Sequence, residues 1–130
     1  METELNQLIE KWIIKAENDL KVVQKELNSD DPVCDVTCYH CQQTAEKYLK
    51  AFLLKNGVDP EKTHLISYLI RDCIKFDNEF EELYIYSYLS EYAVEIRYPD
   101  DFYIPDIDET RESYKAALHI KEFVLKKLQK

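Results

Sequence analysis

The chain has 130 residues, 45% of them hydrophobic and 33% charged, with 26 acids against 17 bases and a formal net charge of -9. That is enough for one domain with a real core, and it is an ordinary globular composition rather than a disordered one. The acidic balance argues against general affinity for nucleic acid, which rests on Lys and Arg neutralising phosphates, and no DNA partner is expected.

A single Gly and four Pro leave little material for tight turns, so a few long helices are expected rather than many short strands. No apolar run approaches the roughly 20 residues that span a bilayer. The first residues, METELNQLIEKW, are acidic and amphipathic, unlike a secretory leader. A cytoplasmic protein with no membrane partner is expected. The four cysteines fit that placement: three fall close together on one predicted helix and read as thiols rather than as a disulfide framework.

In chain order, the first predicted helix covers residues 3 to 27. Its apolar seam is Leu5, Ile9, Trp12, Ala16, Leu20, Val23 and Leu27, in steps of three and four. Asp19 falls on an extension of this seam, where a carboxylate is costly unless paired. Arg97 is its preferred partner, and the plainer alternative places Asp19 at the solvated edge of the stripe. The run from Asn28 to Pro32 ends the helix.

The second helix, residues 33 to 55, has the seam Cys34, Cys38, Cys41, Ala45, Tyr48 and Phe52, a spacing suited to antiparallel bundle packing. His40, Gln43 and Lys47 share its other side, so more than one side of this helix meets a neighbour. Asn56 and Gly57 stop it, with the Gly where a left-handed cap is expected. A short helix follows Pro60, with Thr63 as its cap and Leu65, Ile66, Leu69, Ile70 and Cys73 as its buried side.

The fourth helix is expected from Glu79 to Arg97, with Ile85, Leu89, Tyr92 and Ile96 on its seam, and Pro99 disfavours helix at Tyr98. Tyr84, Tyr88 and Tyr92 recur at intervals of four, a pattern better suited to packing or dimerisation than to stacking bases. The fifth helix begins near Asp106 or Asp108, with acids in its first turn and lysines towards its end, both favourable to the helix dipole. The expected fold is all-α: a single domain over residues 1 to 130, an up-down antiparallel four-helix bundle with one additional short helix.

Between the last two helices, Arg97 opens a loop that holds five acids and no base before Arg111. It either binds a phosphate or forms a salt bridge with Asp100 or Asp101. A metal site is not expected. Cys34, Cys38 and Cys41 suit a core, His40 points away from Cys38 and Cys41, and the loop acids fit no calcium or di-metal pattern. No cofactor is expected.

Three separated stretches carry a family resemblance: WIIKAENDL near the start, YHCQQTAEKYLKAFLLKNGVDPEKTHLISYLI over residues 39 to 70, and EYAVEIRYPDD at the end of the fourth helix. Together, and in this order, they resemble the HEPN domain, named for higher eukaryotes and prokaryotes nucleotide-binding. The resemblance implies a compact helical bundle that forms a homodimer. It also implies partnership with a small nucleotidyltransferase in a toxin–antitoxin pair, and binding of a nucleotide or RNA.

Some family members are metal-independent ribonucleases that carry an Arg followed four to six residues later by a His. Arg97 matches the arginine, but Phe102, Tyr103 and Ile104 stand where the His belongs. His suits both proton transfers of RNA cleavage and Tyr does not. Arg97 can hold phosphate or stabilise transition-state charge. Tyr103 can orient a phosphate, donate a hydrogen bond or accept a nucleotidyl group. Arg97 and Tyr103 are thus the catalytic candidates; Arg97, Asp100, His40, Gln43, Lys47 and Asp19 are the ligand-binding ones. His40 is also a candidate replacement acid–base.

Three functions stay open. The first is a dimeric nucleotide- or RNA-phosphate-binding regulatory protein. The second is an atypical ribonuclease using Arg97, Tyr103 and His40. The third is a helical interaction protein without a ligand.

Overall fold

The structure is a computed structural model that describes residues 2–93 and 102–129. Arg97, Asp100 and the expected end of the fourth helix lie outside the described residues. The elements are α1 (Glu2–Leu27), α2 (Cys34–Lys55), α3 (Ile66–Ile74), the 3₁₀ helix η1 (Asn78–Tyr92) and α4 (Ile107–Leu128). No strand occurs among the described residues. The fold is the expected bundle of four long rods with α3 as the short addition.

The central element is α2, which packs against α1, α3, η1 and α4. Its seam residues Cys38, Cys41, Ala45, Tyr48 and Phe52 are all buried, and the second half of the helix is buried on nearly every side. The inward stripe of α1 is Ile9, Ala16, Leu20 and Val23. Gly57 adopts φ +79 beyond the end of α2, the left-handed conformation that a side chain would penalise. There the N–H of Gly57 donates to Leu54 O (3.0 Å) and that of Val58 to Leu53 O (3.0 Å), so the last turn of α2 keeps its carbonyls paired.

The short helix α3 starts later than expected. Ile66 is its first residue, Leu65 precedes it with 42% exposure, and Thr63 Oγ1 accepts only the N–H of Leu65 (3.1 Å). Ser90 of η1 supplies the missing cap, its Oγ accepting the N–H of Ile66 at 2.8 Å. The buried side of α3 is Ile66, Leu69, Ile70 and Cys73.

The fourth rod differs most from expectation. Residues 78 to 92 form a 3₁₀ helix, in which side chains three apart eclipse one another. Phe80, Leu83, Leu89 and Tyr92 are accordingly buried, and Tyr86 packs against the core between Leu83 and Leu89. Ile85, expected on the seam, is 71% exposed, and Ile96 lies outside the described residues. The three tyrosines spaced by four fall on different sides: Tyr92 faces the core, while Tyr84 and Tyr88 are exposed.

This geometry fits the neighbouring helix. η1 and α4 run antiparallel, joined at one end by Lys127 with Asp77 (2.8 Å) and Glu79, and at the other by the Tyr92 hydroxyl on Glu109. Midway, the ring centroids of His119 and Tyr86 lie 5.2 Å apart. A rise of about 2.0 Å per residue carries η1 roughly 26 Å from Glu79 to Tyr92. At 1.5 Å per residue, α4 covers roughly 27 Å from Glu109 to Lys127. An α-helix over the same stretch of η1 would fall short of one anchor.

The amide and charged groups buried on α2 are paired, whereas the buried Tyr48 hydroxyl has no hydrogen-bond partner among the described residues. Gln42 Nε2 donates to Glu46 Oε1 and to the carbonyl of His64, both at 3.0 Å. Glu46 also accepts from Lys50 Nζ (3.1 Å) and His64 Nδ1 (2.8 Å), and Lys50 Nζ sits 5.7 Å from the centroid of Trp12. Glu46 is 4% exposed and Lys50 is 7% exposed. Burial alone would raise the Glu46 pKa, but the hydrogen bonds from Gln42, His64 and Lys50 and the Lys50 charge hold it below the ordinary carboxylate value.

Two outcomes check these statements. Leu83→Ala should destabilise the protein by about 2–5 kcal/mol in denaturant unfolding, against less than about 0.5 kcal/mol for Ile85→Ala, the reverse of an α-helical seam. Because the folded-state pKa of Glu46 is depressed, the stability it contributes is present above its unfolded value of about 4.5 and is lost as pH falls through the lower folded value. Glu46→Gln strands the buried Lys50 charge and should cost about 3–5 kcal/mol at pH 7. That deficit should shrink as unfolding is measured at successively lower pH below about 4.5.

Candidate functional site

The acid that breaks the seam of α1 carries the first part of the site. Asp19 is 8% exposed, and its two oxygens reach side chains two turns apart on α2. His40 Nδ1 donates to Oδ1 at 2.8 Å and Lys47 Nζ donates to Oδ2. Lysine can span that distance because helical side chains lean towards the N-terminus. Among the described residues the partners of Asp19 are this pair, while the expected partner, Arg97, lies outside them; Asp19 is enclosed rather than lying at a solvated edge. The side chains of His40 and Lys47 keep 24% and 18% exposure, so solvent and small ligands reach them.

Donation from Nδ1 fixes how the imidazole is presented. Asp19 holds the ring through Nδ1–H and leaves Nε2 as its second polar position. The Tyr39 ring meets His40 edge-on, with centroids 5.4 Å apart. Gln43, which helical spacing places between His40 and Lys47, donates from Nε2 to Gln42 Oε1 of the buried Gln42–Glu46–Lys50 row at 2.7 Å.

Tyr103 belongs to a different cluster. Glu109, in the first turn of α4, accepts hydrogen bonds from the hydroxyls of both Tyr103 and Tyr92. The site for them is built by the helix start itself: Asp106 is the N-cap, its Oδ1 accepting the N–H of Glu109 at 2.8 Å. In a capping box the acid at this position reaches back to the cap. Here it serves the two tyrosines instead. The bond to Glu109 and the repulsion a tyrosinate would feel there push the Tyr103 pKa up to about 12. Tyr103 is thus held as a proton donor. Burial and the same carboxylate push Tyr92 up as well.

The structure brings Asp19, His40, Lys47 and Gln43 together on the α1–α2 side and places Tyr103 with Glu109 at the start of α4. Arg97 and Asp100 lie outside the described residues. Glu109 and the Gln42–Glu46–Lys50 row were not among the expected site residues. The second had a signal, an unbroken i, i+4 series of polar residues on a helix whose other sides are apolar. Glu109 had none, because an acid at a helix start is sufficiently explained by capping.

All four cysteines are free. Cys38, Cys41 and Cys73 are buried, and burial raises the pKa of each thiol. Among the described residues no cluster of His, Cys, Asp and Glu is arranged to hold a metal ion, and no helix is long and apolar enough to cross a membrane.

Comparison with known proteins bears on this arrangement. No curated protein matches the chain significantly. The crystal structure of an archaeal HEPN homologue superposes with a TM-score of 0.70 at 25% sequence identity, covering 92% of this chain and 96% of that one. The model of the HEPN domain matches residues 9–130. With that match running over nearly the whole sequence and the same helical fold in the archaeal homologue, the chain belongs to the HEPN domain family.

Proposed function

We propose that this protein is a dimeric nucleotide- or RNA-phosphate-binding regulator, partnered with a small nucleotidyltransferase in a toxin–antitoxin-like pair. The observation that carries the binding reading is the enclosed Asp19 with His40 and Lys47 at its two oxygens. Two partly exposed nitrogen-bearing side chains, fixed by one buried acid, form a preorganised polar edge in a family associated with nucleotides. On the family resemblance, Arg97 is the guanidinium that pairs with phosphate in this reading, and Asp100 is a further ligand-binding candidate. Dimerisation and the nucleotidyltransferase rest on the family resemblance.

Binding is favoured over cleavage for a chemical reason. Cleavage of RNA without metal needs a base for the 2′-hydroxyl and an acid for the leaving oxygen. Tyr103, held protonated by Glu109, cannot serve as the base. The ribonuclease reading survives as a second one through a single feature, the Nε2 of His40 left available by the Asp19 bond. The third reading, an interaction protein without a ligand, is separated from both by ligand binding itself.

Thermal unfolding with nucleoside mono- and triphosphates and with short RNA tests the first reading. A ligand at a hundred times its Kd stabilises the folded state by about 2.7 kcal/mol, and the shift in Tm should fall in both Arg97→Ala and Lys47→Ala. A flat response to every one of these ligands leaves only the interaction protein. RNA incubated in chelator should stay intact; cleavage that disappears in His40→Ala would establish the ribonuclease instead.

A further inference from the structure

The charges of α1 are sorted by direction. Its acids beyond Trp12 are all engaged by other parts of the chain: Glu17 pairs with Lys121 of α4 (2.9 Å), Asp19 with His40 and Lys47, and Glu26 Oε1 accepts the N–H of Val33 (2.9 Å). Its bases are not. Lys11, Lys15, Lys21 and Lys25 are exposed and form no ion pair with any described residue. Elsewhere, Lys47, Lys50, Lys75, Lys115, Lys121 and Lys127 each sit on a carboxylate.

Helical spacing puts the four α1 lysines on the side away from Ala16, Leu20 and Val23, within an arc of about 120°. From Lys11 to Lys25 this strip runs roughly 21 Å. Exposed Ile14 (53%) and Val22 (37%) lie among them, and no acid lies on this face between Lys11 and Lys25. A chain of net charge -9 therefore carries one linear concentration of unpaired positive charge.

We propose that this outer strip of α1 is a docking surface for the phosphate backbone of single-stranded RNA. The choice of polyanion rests on the RNA reading above, while none of the strip's lysines belongs to the Asp19 cluster. A single strand is narrow enough to lie along the strip and touch little else. An anionic membrane is a plane, and it would also meet the acidic remainder of the surface. The apolar stripe that α1 would need to enter a membrane is already spent on the core. The strip has no aromatic residue, so contact through phosphates without base preference is expected.

Fluorescence anisotropy with a labelled 15-residue oligouridylate tests this on the full chain. Binding at 50 mM salt should weaken roughly twentyfold by 150 mM, a log–log slope of about -2 to -3 for four lysines on a single strand. The quadruple variant Lys11→Gln, Lys15→Gln, Lys21→Gln and Lys25→Gln should bind at least about tenfold more weakly at 50 mM salt with an unchanged far-UV spectrum, and each single change should reduce the slope by roughly 0.7. Lys62→Gln with Lys126→Gln, exposed lysines off the strip, should leave affinity unaltered.

Absence of binding at 50 mM salt overturns the proposal, as does affinity that survives the quadruple substitution. So does equal, strip-dependent binding to phosphatidylglycerol vesicles, which would assign the surface to a membrane. Arg97→Ala should leave oligouridylate binding by the strip in place. If Arg97→Ala abolishes binding and the quadruple variant does not, the Arg97 site stands and the strip falls.

Discussion

The structure depends on placing one helix, α2, in the middle of four others. A helix in that position has little solvent-facing surface over most of its length, yet its sequence carries Gln42, Glu46 and Lys50 on its buried sides. Removing such groups from water costs several kcal/mol each unless every donor and acceptor finds a partner. The protein meets this with a row of i, i+4 contacts along α2, extended by His64 before α3 and by the ring of Trp12 on α1. The same demand explains Asp19. It is enclosed by its position on α1, and α2 supplies both His40 and Lys47 to it. The polar features that suggest function and those that make the fold possible thus sit on the same helix, α2.

A second constraint is length. The rods of a bundle must reach similar distances for their ends to be tied, and η1 has only 15 residues against 22 in each of α2 and α4. The 3₁₀ form extends fewer residues over the same span. It also changes which residues face inwards, so that Phe80, Leu83, Leu89 and Tyr92 make the core stripe and Ile85 is left outside. Tyr92 then arrives beside Glu109, which places a tyrosine hydroxyl under the first turn of α4.

Much of this was legible in the residues. The seams of α1 and α2 followed from steps of three and four, because each helix has a clear polar side to contrast with. The single Gly marked the end of α2, and the acids near Asp106 marked the start of α4. The rod between them was misread because Tyr84, Ile85, Tyr86 and Tyr88 offer apolar or aromatic residues in every direction. A period of 3.6 and a period of 3.0 then share Leu89 and Tyr92 and part at Phe80, Leu83, Ile85 and Tyr86. For the site, Asp19 was visible as an acid out of pattern. Its partners were not, since spacing within one helix does not say which side chains of another will face it. The tyrosine pair on Glu109 was hidden for the same reason.

The cap of α3 has a consequence for how the molecule moves. Nine residues are too few to hold a helix in water, and α3 has no capping side chain of its own. Its first amide is held by the Ser90 hydroxyl, borrowed from a different element. Loss of η1 from the bundle would therefore strip α3 of its start as well as of much of its packing. In amide hydrogen exchange the two should therefore open as one unit, while α1 and α2 stay protected on a slower clock.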